Sequence, residues 1–556
     1  MYDSQRTNGD HNPCWYQDLA PVDLLALHTS AGNWPTKPLD LIVVGGGIAG
    51  LSVAYHACRR GQSVMVIDRG MLGCGETGRT TAHLSSALDD RYTHLERVLG
   101  RRAAELAAAS HCAAINDIER IVLEESIDCG FRRLPGYLFS AKGGRAGVKE
   151  LLRERKAAQR ARLTVEIDRN PIVTLSDGPC LRFERQADFH PLAYIAGLSR
   201  AIVRMGARIV TRTRVLDVDP NETMPSIILA DGRTLASKAV VVATNSPIND
   251  RFAMHTKQAA YRSYVLTFEI PQGSIEPALY WDTGDPYHYV RLSNAGDQLI
   301  VGGEDHRVGQ SNSAHARFSQ LESWTRLHFP AAASIISRWS GQIQEPADGM
   351  AFIGRNPGTR ANVFIVTGDS GNGMTHGAIA GMLINDLIAE DASTWEWESL
   401  YDPSRRRQLI ATRDFVRENY KTGLHFADWL LPAARSERAI DPGQGRVVRR
   451  GLHRVAVYVD DAGQPHERSA MCPHLGCVVA WNGAEKSWDC PCHGSRFDPY
   501  GKVMTGPAHT DLSVVAPEPE EPNKPPTHVE TLRDSADAAL CGVVSTSSAT
   551  ARTRIT

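Results

Sequence analysis

Charge of one sign is missing from this chain. Its 61 Lys and Arg stand against 63 Asp and Glu, a formal net charge of −2 over 556 residues. A balance this close to neutral offers no electrostatic grip on nucleic acid or on an anionic membrane surface, so neither is expected as a partner. Long apolar runs are missing as well. The longest, residues 41–58, contains four glycines, and no other window approaches the ~20 apolar residues that a spanning helix needs. The opening Met1-Tyr2-Asp3-Ser4-Gln5-Arg6 is polar and has no apolar core ahead of a cleavage site, so the cytoplasm is the expected compartment. Internal repeats are absent too, which excludes solenoids and propellers.

Cysteine is present but unorganised over most of the chain. Cys14, Cys58, Cys74, Cys112, Cys129, Cys180 and Cys541 have no paired spacing and read as free thiols of a reducing compartment. The other four cluster late. Cys472-Pro473-His474 is followed, after fifteen residues, by Cys490-Pro491-Cys492-His493. C-x-H-x15-C-x2-H is the ligand pattern of a Rieske [2Fe-2S] centre, in which one iron takes two thiolates and the other two imidazoles. A Cys2His2 zinc site is the competing reading, although zinc patterns pair like ligands in each half-site. A plain disulfide loop is the third.

Near the other end, residues 41–44 form a short apolar run that reads as a buried parallel strand. Gly45-Gly46-Gly47-Ile48-Ala49-Gly50 follows, then a helical pattern over 51–60, a second strand over 63–67, and Asp68. In G-x-G-x-x-G the first glycine (Gly45) makes the tight turn. The second (Gly47) admits the pyrophosphate, and the third (Gly50) lets helix and strand pack closely. The helix N-terminus faces the phosphates, and the acid accepts bonds from ribose hydroxyls. Further apolar strands are expected at 239–245 and 363–367. The second runs into Gly368-Asp369-Ser370-Gly371-Asn372-Gly373-Met374-Thr375 and an apolar helix over 378–388.

These stretches resemble two known families. Cys472-Pro473-His474-Leu475-Gly476-Cys477 and Cys490-Pro491-Cys492-His493-Gly494-Ser495 are similar to the boxes of cytochrome bc-type Rieske proteins. The resemblance implies Cys472, His474, Cys490 and His493 as cluster ligands and a disulfide between Cys477 and Cys492. The high-potential members also carry a Ser and a Tyr whose hydroxyls bond the cluster sulfurs. Here Ser495 is present, but Phe497 stands at the Tyr position. A midpoint below the upper third of the Rieske range, about −150 to +300 mV, is therefore expected. Over roughly residues 38–400 the order of strands and turns resembles the D-amino-acid-oxidase-like flavoproteins. That resemblance implies FAD, held by Gly45, Gly47, Gly50 and Asp68. Arg79, Thr80 and Thr81 of the segment 75–83 would pass its pyrophosphate and ring. Gly371, Asn372, Gly373 and Met374 would lie along the pyrimidine edge. The whole chain resembles bacterial FAD-dependent oxidoreductases with a C-terminal Rieske module, also through Thr77-Gly78-Arg79-Thr80-Thr81-Ala82, Gly302-Gly303-Glu304-Asp305-His306, Trp481-Asn482 and Ser487-Trp488-Asp489-Cys490.

The expected fold is an α/β FAD-binding Rossmann-like domain with an α+β substrate domain, plus a C-terminal all-β Rieske domain. Residues 1–37 read as an irregular lead-in, 38–400 as the flavin part and 401–445 as a linker with a basic helical run over 404–419. Residues 446–516 read as the Rieske domain and 517–556 as a disordered tail. No second G-x-G-x-x-G unit lies between residues 90 and 430, which favours an organic substrate over a nicotinamide as the reductant. A small amine or amino acid is expected as that substrate, with electrons passing singly through the cluster to an unknown acceptor. Tyr261, Arg262, His288 and Arg291 are the candidate substrate contacts, against a reading of packed tyrosines, a structural histidine and ion-paired arginines. Sarcosine-oxidase-like enzymes carry a carboxylate-binding Lys where this chain has Thr375. An electron-transfer reductase feeding a partner enzyme is the alternative function. A Rieske oxygenase and a redox sensor are more distant ones.

Overall fold

The computed structural model describes residues 11–18, 34–169, 175, 178–221, 223–249, 254, 256–309, 314–390, 394–405, 440–451 and 453–515. The basic run from residue 406 onward and the expected tail lie outside the described residues.

The strand Leu39–Val44 is buried on both faces, and its aliphatic run has no alternation. Such a strand belongs in the middle of a parallel sheet. It pairs in parallel with Thr234–Asn245 on one side and Val64–Ile67 on the other. Val363–Thr367 and Arg208–Val210 extend the parallel set outward, and Phe352–Arg355 closes one edge antiparallel. Helices Ile48–Arg59, Arg101–Glu124, Pro191–Arg204 and Gly373–Glu390 pack into a single core with this sheet. Gly377 and Gly381 lie against Ile48 and Ser52, where an added Cβ would come within 2.9 Å of each. That closeness brings the N-terminal ends of Ile48–Arg59 and Gly373–Glu390 to the same edge of the sheet.

A nine-stranded, largely antiparallel sheet stands beside it. Its order runs Ile335–Pro346, Gln258–Glu269, Gln298–Arg307, His288–Leu292, Leu279–Asp282, Arg132–Phe139, Cys180–Asp188, His83–Leu84, with the ninth strand, Val165–Asp168, also paired to Cys180–Asp188. The helix Ala314–His328 covers part of it through Phe318 and Leu321, which share a core with Tyr264, Leu266 and Phe268.

The C-terminal module consists of two small antiparallel sheets. Gln444–Arg450, His453–Val459 and Pro465–Ser469 form one, and Ala480–Asn482, Ser487–Asp489, Arg496–Phe497 and Val503–Thr505 the other. Trp488 and Phe497 are fully buried between them, together with the four late cysteines. The expected fold class is therefore observed in all three parts. The first strand of the module begins at Gln444, and the lead-in contains a helical turn, Trp15–Asp18.

Candidate functional site

The helix Ile48–Arg59 begins one residue after an extended Gly47, with no side-chain cap and no acid in its first turn. The Ile48 N–H donates to the Thr77 hydroxyl at 3.1 Å. The rest of this end is a helix N-terminus suited to a phosphate. Gly45, at φ +113°, sits where a Cβ would strike the Ala243 carbonyl oxygen at 2.3 Å. At Gly50 a Cβ would fall 1.9 Å from the Gly45 oxygen. At both glycines a side chain would have no room. The Asp68 carboxylate accepts from the N–H groups of Gly46 at 2.6 Å and Gly70 at 2.7 Å.

From this point one elongated cavity runs through the molecule. Gly45, Gly47, Asp68, Arg79, Thr80, Thr81, Gly371, Asn372, Gly373 and Met374 all line it. Gly50 does not, because its role is the packing of helix on strand. Arg79 is buried and clamped: its guanidinium donates to the Ser340 carbonyl at 2.6 Å and the His11 carbonyl at 3.0 Å. Trp15 Nε1 donates to the Thr80 carbonyl at 2.8 Å, so the first described residues back the same loop. A cavity with an acid at one end, an uncapped helix start beside it and a glycine turn farther along fits an extended dinucleotide such as FAD.

The four candidate substrate contacts lie off this cavity. Arg262 faces the C-terminal module, donating to Ser340 Oγ at 2.7 Å near Glu485, Asp489 and Arg496. His288 is stacked on Trp324 at 4.1 Å, with Asp282 at 2.9 Å and Glu304 at 3.4 Å from its two ring nitrogens. Arg291 is fully buried behind the flavin loop. It donates to the carbonyls of Thr81, Ala82 and Phe189, ion-pairs with Asp188 and lies over the Trp15 ring. Tyr261 is half-buried and does not line the cavity. The lining residues are their strand neighbours Ser263, Val265, Tyr287 and Tyr289, together with Asp89 and His83. Period-two alternation turns His288 to the face opposite Tyr289, whereas Arg291, on the Tyr289 face, is spent on the carbonyls of Thr81, Ala82 and Phe189.

This end of the cavity is acidic. Tyr287 donates to Asp89 at 3.2 Å, and Tyr289 and Ser263 hydroxyls lie 2.7 Å apart. Burial pushes the Asp89 carboxyl up to about 6 and that of Asp305, behind Ser263, up to about 7. Burial, and after it the neighbouring Asp90, push the Glu345 carboxyl well above its ordinary value. Gly302 makes room for this arrangement, since a Cβ there would meet the Tyr289 ring at 2.1 Å.

In the C-terminal module Cys472 and Cys490 are hydrogen-bonded to each other, and the Ser495 hydroxyl reaches Cys472. The His474 and His493 rings are 5.0 Å apart at 86°. Cys477 and Cys492 form the expected disulfide, which ties the two loops together. Two thiols and two facing imidazoles at one place fit the donor set of a Rieske [2Fe-2S] cluster. His493 is buried, and the carbonyl of its neighbour Gly494 accepts from Gln342 Nε2 at 3.1 Å. Gln342 also lines the dinucleotide cavity, so a single side chain touches both sites.

Comparison with known proteins agrees with both halves. Residues 40–387 match the family described as FAD dependent oxidoreductase, and residues 430–516 match the Rieske [2Fe-2S] domain. The chain is 30% identical over 481 residues to YhfW of Bacillus subtilis, whose name assigns it a Rieske 2Fe-2S centre. That match covers 86% of this chain and 93% of YhfW. It is 25% identical over 381 residues to gamma-glutamylputrescine oxidoreductase of Escherichia coli, covering 64% and 85% of the two chains. Among solved structures, L-proline dehydrogenase from P. horikoshii superposes with a TM-score of 0.56 at 16% identity, over 68% of this chain and 100% of that one. Glycine oxidase from Geobacillus kaustophilus gives 0.55 at 17%, over 67% and 100%. Among the described residues no helix is long and apolar enough to cross a membrane. The chain belongs to the FAD dependent oxidoreductase family and carries a Rieske [2Fe-2S] domain behind its flavin domain.

Proposed function

We propose that this protein is a dehydrogenase of small amines whose electrons leave through the Rieske module. The observation that carries the reading is the chemistry of the cavity beyond Gly371–Met374. Asp89, Tyr287, Tyr289 and Ser263 face it, and Asp305 and Glu345 stand behind. A substrate nitrogen can donate to the Asp89 carboxylate, and the two tyrosine rings offer π-faces to its positive charge. A carboxylate placed there would face Asp89 with Asp305 and Glu345 behind it, and Arg91, the cation that acts on Asp89, already donates to the Asp282 carbonyl. Thr375 supplies no clamp, because it is 1% exposed and its hydroxyl donates to the Asn372 carbonyl at 3.0 Å. A similar protein, that of Escherichia coli, is named for an amine substrate.

When bound, FAD supplies a two-electron acceptor for hydride from the C–H bond beside nitrogen, and the cluster supplies one-electron steps. The residues provide position and exclusion. Asp89 and the tyrosines orient the nitrogen, while His83, which burial holds near 3, stays neutral beside them. The Gln342–Gly494 contact supports an internal outlet, since it joins the cavity lining to the loop of His493.

The test is anaerobic. The holo-protein is mixed separately with aliphatic mono- and diamines, α-amino acids, NADH and NADPH, and flavin bleaching is followed with the EPR signal of the reduced cluster. Amines are expected to bleach the flavin and then raise the cluster signal. Bleaching by nicotinamides alone, or by α-amino acids in preference to amines, overturns the reading.

A further inference from the structure

The dinucleotide cavity is not built by the flavin domain alone. Gly506, Ala508 and His509, all from the Rieske module, line it beside Thr213, Arg214, Ser246 and Ile248. This is the Asp68 end: the Thr213 N–H donates to the Asp68 carbonyl at 2.9 Å. The segment is fastened there. Arg214 donates to the His509 carbonyl at 2.5 Å, and a Cβ on Gly506 would make ordinary contact with Ser246 and Ile248, at 3.8 and 3.9 Å.

A second point of the module reaches the same cavity from another side. Glu485 is 1% exposed and lies 3.8 Å from the Arg79 guanidinium, in the loop that lines the cavity from Cys74 to Thr81. Its carboxylate also accepts from Ser340 Oγ. Burial by itself would raise this carboxyl. Arg79, with His11, Arg262 and Arg496, outweighs burial and holds it well below the usual range. Gly309 packs against Pro491 so closely that an added Cβ would fall 2.6 Å from the Pro491 Cβ.

We propose that the Rieske module is a structural part of the FAD site. The segment 506–509 forms the wall over the Asp68 end of the cavity, and Glu485 holds the Arg79 loop in place. FAD binding and docking of the module are then thermodynamically linked, and by reciprocity each strengthens the other. The link reaches the cluster side through one further bond, the Ala508 N–H donating to Ser495 Oγ at 3.0 Å.

The experiment uses the full chain, stripped of flavin but with its cluster intact by visible absorption. FAD is titrated in, and amide hydrogen exchange is read across residues 504–512. Exchange there is expected to slow by about tenfold or more on FAD binding. Protection confined to the flavin domain while FAD is bound overturns the proposal. Failure of the wild-type chain to take up FAD overturns the cofactor assignment and this proposal with it. Ala508→Gln, which adds bulk at a lining position, is expected to raise the FAD Kd by about tenfold. Thr510→Gln, on the exposed side of the segment, is expected to leave it unchanged. If Ala508→Gln fails to load a cluster, Glu485→Gln, nearly isosteric and uncharged, takes its place with the same expected weakening. An FAD Kd that stays at the wild-type value in the cluster-loaded variants overturns the proposal.

Discussion

Asp305→Asn tests the acidic end of the cavity, because its effect depends on pH in a way that a packing defect cannot copy. Asp305 is packed behind Ser263, and its Oδ1 is buried without a hydrogen-bond partner. Burial lifts its carboxyl from the usual 3.8 to about 7. Below about pH 4 both folded and unfolded chains hold the proton, so the group is neutral to stability. As pH rises toward 7 the unfolded chain ionises and the folded chain does not, so stability falls. Above 7 the loss is complete. Each tenfold step in proton affinity is worth about 1.4 kcal/mol, and about three such steps separate the two states. The carboxyl therefore costs the fold on the order of 4 kcal/mol above neutrality, less whatever the neighbouring Asp89 shares. Asn has nearly the same shape and no charge to lose. Urea unfolding at pH 5 and pH 8 should show the variant's advantage growing by about 2 to 3 kcal/mol, since little more than one of the three steps is lost at pH 5 and all are lost at pH 8. An amine that fills the cavity should stabilise wild type more than the variant at pH 8. Equal offsets between the two proteins at both pH values would refute the reasoning, because they would mean that the carboxyl is already ionised and compensated.

Other outcomes follow from single positions. Phe497 is fully buried in the core that holds Cys472 and Cys490. Phe497→Tyr is expected to raise the cluster midpoint by about 40 mV, the one-electron equivalent of a hydrogen bond worth about 1 kcal/mol, and voltammetry reads it directly. Gly302→Ala drives a methyl group into the Tyr289 ring. It should raise the KM for the amine about tenfold at unchanged FAD content, and an unchanged KM would remove Tyr289 from the substrate site. At Gly50 the obstacle is backbone, the Gly45 carbonyl. Gly50→Ala should therefore cost more than about 3 kcal/mol and yield protein without flavin, seen in the visible spectrum and the melting curve.

The cofactor sites were legible in the sequence because their chemistry is local. A fingerprint turn needs glycines at fixed offsets, and two cluster loops need their ligands within a few residues. Ten of the eleven residues expected at the flavin line the cavity, and the expected ligands Cys472 with Cys490 and His474 with His493 lie against each other. The substrate end was harder to read, because its residues come from separate strands and face the cavity only by alternation. In the run Tyr287-His288-Tyr289-Val290-Arg291 the tyrosines line the cavity and His288 and Arg291 do not, a difference that residue type alone does not signal. Arg262 shows a second limit. A buried arginine reads as a substrate clamp until the structure reveals Asp489 and Glu485, more than 200 residues away, beside it. Asp89 carried no local signal, since its neighbours do not mark it as different from any other loop acid.

The first described residues have a practical bearing on how this protein is handled at the bench. His11 and Trp15 hold the backbone and side chain of Arg79 and Thr80 from behind, and the Arg291 guanidinium rests on the Trp15 ring. A truncation that started at the fingerprint strand would look harmless by domain boundaries, but it would strip the support from the flavin loop. An affinity tag fused close to His11 would crowd the same spot. Yields of flavin-free protein from such versions would report a lost buttress rather than a protein that never bound flavin.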